Sequence, residues 1–356
     1  MQKMKHNVLI VGAGPAGVSA AYFIKHYDED DQIKVDLVDR LDERRYVQYH
    51  EMCGEAVSKY LFDDLSPLRP IGIVEKIKLI KEFWPGDIKI ETEARGYIID
   101  RPRFLRYIIK ESEKKGCNFR NREVLSVTQN SKKVRVKFRD SSEDYDYVVA
   151  ADGANSIVRS LMGVVGNTRT YIQYIIDERP ERGTLIFYYD EKYSGDYKWV
   201  FPYGDKTKVG YPIINDKLFK ADGKILKTQS RTIAYGGINK YVYGRILLIG
   251  DAACQTNALT KGGIRPGMVA GKLAAKSIVN RNPSQYEQEW LKTDFSSKIF
   301  MSGFNKLKKM SNEDLKKHIK PVVDNISAFT QLKCILFYRK YKSLYKAYEL
   351  SERFGW

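Results

Sequence analysis

Val8-Leu9-Ile10-Val11-Gly12-Ala13-Gly14-Pro15-Ala16-Gly17 decides the fold class. Four apolar residues in a row read as a short buried strand, and the glycines end it abruptly. Val18 to Ile24 continues as a helix rich in small residues, and Ile33 to Val38 is a second apolar strand ending at Asp39. The three pieces make a βαβ unit. Gly12 permits the tight turn, Gly14 lets the backbone approach a pyrophosphate, and Gly17 lets the helix pack close to the strand. The helix N-terminus offers free N–H groups and a positive dipole end to phosphates. Asp39 lies about 20 residues past the last glycine, where a carboxylate accepts hydrogen bonds from a ribose diol. The stretch therefore predicts a dinucleotide-binding turn.

The rest of the 356 residues frames that turn. A hydrophobic content of 43% against 29% charged predicts a globular chain with a real core, enough for two domains. Basic and apolar residues between Met1 and Lys25 mimic a signal peptide. The apolar run contains the glycine turn, however, so a cytoplasmic protein is expected. Cys53, Cys117, Cys254 and Cys334 are far apart, and His6, His26, His50 and His318 form no cluster. Reduced thiols and no metal site are expected.

Net charge is +17, and nearly half of it falls between Lys292 and Trp356. Such an excess fits nucleic acid, anionic lipid or an acidic electron donor, or simply a solvated lysine-rich surface. No zinc-finger spacing or aromatic RNA-recognition motif accompanies it, so no nucleic acid is expected. Phe337, Tyr341, Leu344 and Tyr348 share one helical face, with Lys340, Lys342 and Lys346 elsewhere on the helix. That helix can lie on an anionic membrane, at its inner face, or pack on the body of the protein.

Further along, Ile71 to Ile99 alternates as antiparallel strands do, and Arg103 to Lys115 is an amphipathic helix. Val134 to Phe138, Tyr147 to Ala150 and Arg245 to Ile249 read as strands. Thr170 to Ile214 is strand-like and rich in tyrosine. Within it, Tyr197-Lys198-Trp199-Val200-Phe201-Pro202 places three aromatics on one face of a strand. Alone, the stripe fits an ordinary sheet core. It also fits an apolar wall for a long unsaturated hydrocarbon.

Four motifs then bring a resemblance into view. Gly250-Asp251-Ala252-Ala253 ends an apolar strand and leads to Lys261-Gly262-Gly263-Ile264. Asp152-Gly153 is followed by Arg159. Cys53-Gly54-Glu55-Ala56 and Asp100-Arg101-Pro102-Arg103-Phe104 lie between. With the Tyr-x-Trp-x-Phe-Pro segment, they resemble the geranylgeranyl reductase family, within the p-hydroxybenzoate hydroxylase-like flavoproteins. The resemblance spans Val8 to about Val279.

It implies an α/β fold, an α+β composite. A Rossmann-type FAD-binding domain (1–65, 98–160 and 241–281) interleaves with an antiparallel-sheet substrate domain (66–97 and 161–240), and a C-terminal helical region follows (282–356). It implies FAD as cofactor, held by Gly12, Gly14, Ala16, Gly17, Asp39, Arg40, Cys53, Gly54, Ala56, Arg101, Val124, Asp251, Gly263 and Ile264. Arg101 is expected on the pyrophosphate. Asp251 is expected on the ribityl-phosphate part, and also as a cap of the following helix.

Reduction of prenyl double bonds of an isoprenoid lipid is implied, archaeal members acting on digeranylgeranylglycerophospholipids. The electron donor is external, NADPH or ferredoxin-like. Tyr197, Trp199 and Phe201 would hold the substrate. Cys53, Tyr197 or a water would give the proton, with Cys53 equally readable as a small buried hydrophobe. Rival readings are an aromatic monooxygenase, a reductase of prenylquinone side chains, and a non-enzymatic membrane or nucleic-acid binder. The chain departs from the family at Ala258, Lys261 and Gly267, where Pro, Gly and Ala are usual. Lys261 is expected to bring positive charge to the flavin.

Overall fold

A computed structural model describes residues 5–323 and 339–354. Strands are β1 His6–Val11, β2 Ile33–Asp39, β3 Ala56–Ser58, β4 Ile73–Trp84, β5 Ile88–Ile99, β6 Cys117–Asn121, β7 Val124–Gln129, β8 Val134–Phe138, β9 Ser142–Tyr145, β10 Tyr147–Ala150, β11 Asn167–Ile176, β12 Thr184–Tyr189, β13 Tyr197–Tyr203, β14 Lys206–Pro212, β15 Ile225–Tyr235, β16 Val242–Tyr243 and β17 Ile246–Leu248. Helices are α1 Pro15–Tyr27, α2 Glu43–Glu51, α3 Tyr60–Asp64, α4 Arg101–Lys114, α5 Ile157–Leu161, α6 Ile264–Val279, α7 Pro283–Lys292, α8 Ile299–Leu307, α9 Asn312–Val323 and α10 Lys342–Phe354.

The nucleotide-type sheet has the order β16-β17-β10-β1-β2-β6, parallel except for β16 against β17. Val8–Val11 of β1, and all of β10 and β17, are buried apolar runs because both faces of the sheet are covered. Helix α1 packs against α4 and α6. The approach to α6 is close enough that a Cβ on Gly271 would fall 2.4 Å from the Ala16 carbonyl oxygen. The three-stranded sheet β7-β8-β9 adds Val134, Val136 and Phe138 to the same core.

The second sheet has eight strands, β15-β11-β14-β13-β12-β4-β5-β3. The expected antiparallel sheet holds one exception, β12 beside β4, which is parallel. Strand β3, expected with the nucleotide domain, pairs with β5 of this sheet. Alternation gives the sheet two apolar faces. One carries Tyr171, Leu185, Tyr197, Trp199 and Phe201, the other Ile172, Tyr174, Val209 and Tyr211.

Helices α8, α9 and α10 form a further core with Trp84 and Ile90. Tyr341 and Leu344 of the basic C-terminal segment are buried there, and Tyr348 packs against the same core. The apolar face of α10 therefore faces protein, the second of the two alternatives open for that helix. Phe337, the fourth residue of that stripe, lies outside the described residues, as does Cys334.

Candidate active site

The turn after β1 is built as the glycine spacing requires. Gly12 has φ +98°, and a Cβ on it would lie 2.3 Å from the Ala151 carbonyl oxygen. A Cβ on Gly17 would lie 1.8 Å from the Gly12 oxygen. Pro15 opens α1, and no side chain caps the helix, so its first N–H groups are free for a ligand. Asp39 accepts from the amides of Ala13 (2.8 Å) and Leu41 (2.9 Å), clamping the turn. Burial raises its carboxyl pKa against the pull of those two bonds. Arg40 and Val124 line the cavity near Asp39, and Ala16 lines its glycine turn.

The second motif closes on the first. Gly250 (φ +61°) opens a 3-10 turn, and a Cβ on it would lie 2.7 Å from the Ala16 Cβ. Asp251 sits in that turn and accepts from the Thr256 hydroxyl at 2.9 Å. It does not cap α6, which begins at Ile264 after an uncapped Gly263. No side chain caps that helix start either. Asp152 accepts from Ser156 (2.6 Å) at the start of α5, while Arg159 donates to the carbonyls of Asp251 (3.1 Å) and Ala252 (3.2 Å). The three motifs meet in one place although up to 239 residues separate them.

Arg101 is 4% exposed. Its Nε donates to the His50 carbonyl (2.7 Å) and its Nη2 to that of Met52 (3.2 Å). The guanidinium therefore holds the backbone of residues 50–52 through Nε and Nη2 while also lining the cavity. Sequence reading missed His50. Its ring is buried, its Nδ1 has no hydrogen-bond partner, and its Cε1 lies 3.7 Å from a Cβ built on Gly14. Burial, then the charge of Arg101, pushes its pKa well below the usual value, so the ring is neutral. It stands in an aperiodic polar stretch, which gave no signal.

Tyr197, Trp199 and Phe201 form a wall on one face of β13, with Phe187 edge-on to Tyr197 (5.0 Å) and Phe201 (5.3 Å). All four line the same cavity as the glycine turns. The wall presses on the Cys53-Gly54 loop. A Cβ on Gly54 would lie 2.6 Å from the Phe201 ring. Cys53 is half-buried, and it and Ala56 line the cavity. The Tyr197 hydroxyl donates to the Thr260 carbonyl, tying the wall to the loop before α6. Burial raises its pKa far above the usual value, so it is committed as a donor and is a poor acid.

Lys261 does not bring a free charge to the site. With φ +54°, it reaches Asp196 at 3.2 Å and sits over the rings of Phe304 (3.5 Å) and Tyr235 (4.3 Å). Asp196 also receives Arg169 (2.6 Å) and the Tyr171 hydroxyl (2.8 Å). Burial lowers the Lys261 pKa to about 8, against the raising effect of Asp196.

The cavity measures about 740 Å³. It begins at Asp39 and Arg40, passes Cys53 and Gly263, follows the aromatic wall, and reaches Trp84 and Tyr348. A dinucleotide with a flat ring system fits these residues. Glycines clear the backbone at both turns, two helix starts are uncapped, Asp39 can accept from a ribose, and the His50 nitrogen lacks a partner. Among the described residues, no group of three or more His, Cys, Asp or Glu could hold a metal ion.

Comparison with known proteins agrees with this geometry. A family model described as an FAD binding domain matches residues 72–185. A digeranylgeranylglycerophospholipid reductase of Methanocella arvoryzae is 27% identical over 314 residues, 78% of either chain. One of Picrophilus torridus is 27% identical over 375 residues, 90% of this chain and 92% of its own. In fold, a geranylgeranyl bacteriochlorophyll reductase-like protein from Thermoplasma acidophilum superposes with a TM-score of 0.78 at 20% identity, covering 99% of both chains. A flavin-dependent halogenase gives 0.71 at 16% identity, over 96% of this chain and 72% of its own. The cofactor is FAD.

Proposed function

We propose that this chain, an FAD-dependent oxidoreductase of the geranylgeranyl reductase family, saturates carbon–carbon double bonds in the prenyl chains of an isoprenoid lipid. The relatives of the same type from methanogens and Picrophilus support a geranylgeranyl phospholipid precursor as substrate. The observation that carries this reading is the continuity of one cavity from the cofactor turns to the wall of Tyr197, Trp199 and Phe201. An apolar arm walled by aromatics takes a hydrocarbon chain and offers little to a small polar metabolite.

Bound, reduced FAD supplies the hydride that such a reduction requires. Asp39, the N–H groups of Gly14 and Ala16, and those of Gly263 and Ile264 would hold it. An isolated alkene has no carbonyl to polarise, so rate depends on placement. Trp199 and Phe201 orient the chain and exclude water. Their ring faces stabilise positive charge developing on the prenyl carbon. The Cys53 thiol, which lines the same cavity, would give the proton to the second carbon.

An external reductant, NADPH or ferredoxin-like, reloads the cofactor. The +17 charge supports contact with anionic headgroups by basic surface other than the α10 stripe. That contact is checked by co-sedimentation with anionic vesicles, bound at low salt and released at high salt. No helix among the described residues is long and apolar enough to cross a membrane.

The test is Trp199→Ala. Turnover on a geranylgeranyl lipid should fall more than tenfold with FAD still bound, and unchanged turnover would remove the wall from the account.

A further inference from the structure

Behind the Cys53-Gly54 loop lies a buried ion pair, its carboxylate residue Glu55 at the cavity lining and its lysine, Lys208, behind it. Lys208 of β14 is fully buried and Glu55 is 3% exposed. The Lys208 ammonium donates to three acceptors on one loop: the carbonyls of Glu51 (3.3 Å) and Cys53 (3.0 Å) and the Glu55 carboxylate. The other Glu55 oxygen accepts from the Arg101 amide at 3.2 Å. Glu55 itself is left-handed, φ +58°, a conformation that a non-glycine residue keeps only where its surroundings enforce it. Gly54, between the two bonded residues, lies against Phe201 with no room for a side chain.

A buried pair of this kind is not needed for stability. Removing two charges from water costs about what their attraction returns, and an apolar pair of similar volume often serves the fold as well or better. What an apolar pair cannot do is fix three oxygens of one loop in three directions. The loop so fixed carries Cys53 and bears on Phe201, and the lysine that fixes it comes from the strand beside the wall. Any slack at Lys208 moves the thiol relative to the aromatics, and reactions of this type are sensitive to displacements near 1 Å.

We infer that Lys208 and Glu55 are positioning residues, holding the Cys53-Gly54 loop in register with the aromatic wall so that turnover depends on a buried charge pair whose lysine lies behind the cavity lining. The inference rests on the prenyl-reductase reading for its catalytic consequence, but not for the position of the thiol.

The experiment uses holoenzyme of Lys208→Met/Glu55→Leu, with Glu55→Gln as a second variant that preserves volume and removes one of the two charges. Melting temperature, FAD absorbance, kcat and KM on a geranylgeranyl lipid, and the rate of Cys53 alkylation by iodoacetamide, followed by peptide mass spectrometry, are measured for each. The double variant should melt near the wild type and keep FAD. Its kcat should fall at least tenfold with KM within threefold, and Cys53 alkylation should change at least threefold. Glu55→Gln should shift both readouts in the same direction, and it decides the matter if the double variant fails to fold. Unchanged kcat, or unchanged Cys53 labelling, overturns the inference. A wild type that reduces no prenyl lipid would remove the functional reading, while the labelling rates still decide whether the pair places the loop.

Discussion

Gly210 of β14 lies directly beneath the indole of Trp199, its cross-strand partner in β13: a Cβ built on it would fall 1.9 Å from the ring carbon Cζ2. The wall can stand upright against the cavity because the neighbouring strand gives up its side chain at this one point. Gly210→Ala should therefore tip Trp199 out of place. We expect turnover to fall about tenfold or more, stability to drop by about 1–3 kcal/mol from overpacking, and FAD stoichiometry to stay at the wild-type level. Intrinsic fluorescence reports the displaced indole, and steady-state kinetics the loss.

Gly17 makes the corresponding demand at the cofactor end. Its missing Cβ would sit 1.8 Å from the Gly12 oxygen, so Gly17→Ala must pull α1 away from the turn. The variant should be purified with FAD strongly depleted, read as the ratio of flavin to protein absorbance. A fully loaded Gly17→Ala protein would mean that the turn does not hold the cofactor.

Arg101 secures the same loop through carbonyls that Lys208 does not bond. Its two bonds to the His50 and Met52 carbonyls are geometric demands on a planar fork, which a lysine cannot meet. Arg101→Lys should weaken FAD binding about tenfold and lower the melting temperature, whereas a role purely as a charge near the pyrophosphate would leave Arg101→Lys close to wild type. Titration of apoprotein with FAD separates the two.

Lys261 gives a pH signature. Its pKa is lowered to about 8 in the fold, from an ordinary value of 10.5. Between those values the unfolded chain holds the proton that the folded chain has released, so stability rises with pH across the window. Below pH 8 both states are charged, and burial of the ammonium opposes folding. The difference in melting temperature, wild type minus Lys261→Met, should therefore increase from pH 8 to about 10.5 and be flat from pH 6 to 7. A difference that falls over the upper window would show that Lys261 is stabilised as a cation by Asp196 instead.

These residues also mark how far sequence carries. Gly12, Gly14, Gly17 and Asp39 were legible because the chemistry of a tight turn and a strand end is local. Tyr197, Trp199 and Phe201 were legible because alternate residues of a strand share a face whatever the sheet around them. Residues whose role depends on a distant partner were not. Lys208 looks like any strand lysine until Glu55, 153 positions away, is brought against it. Nothing local to Arg101 reveals that the carbonyls of His50 and Met52 point at it. The helical stripe at Tyr341 and Leu344 has the same period whether it meets lipid or Trp84 and its neighbours. Only the packing of α8 and α9 distinguishes the two.

The central claim is that the aromatic arm of the cavity presents a prenyl chain to reduced FAD. The most direct measurement is anaerobic incubation of dithionite-reduced holoenzyme with a digeranylgeranyl phospholipid, followed by mass spectrometry of the lipid. The account predicts products heavier by two hydrogens for each double bond saturated, strongly diminished with Trp199→Ala. A lipid of unchanged mass beside fully reduced, correctly bound FAD would contradict it, as would a product that has gained oxygen instead of hydrogen when air is admitted.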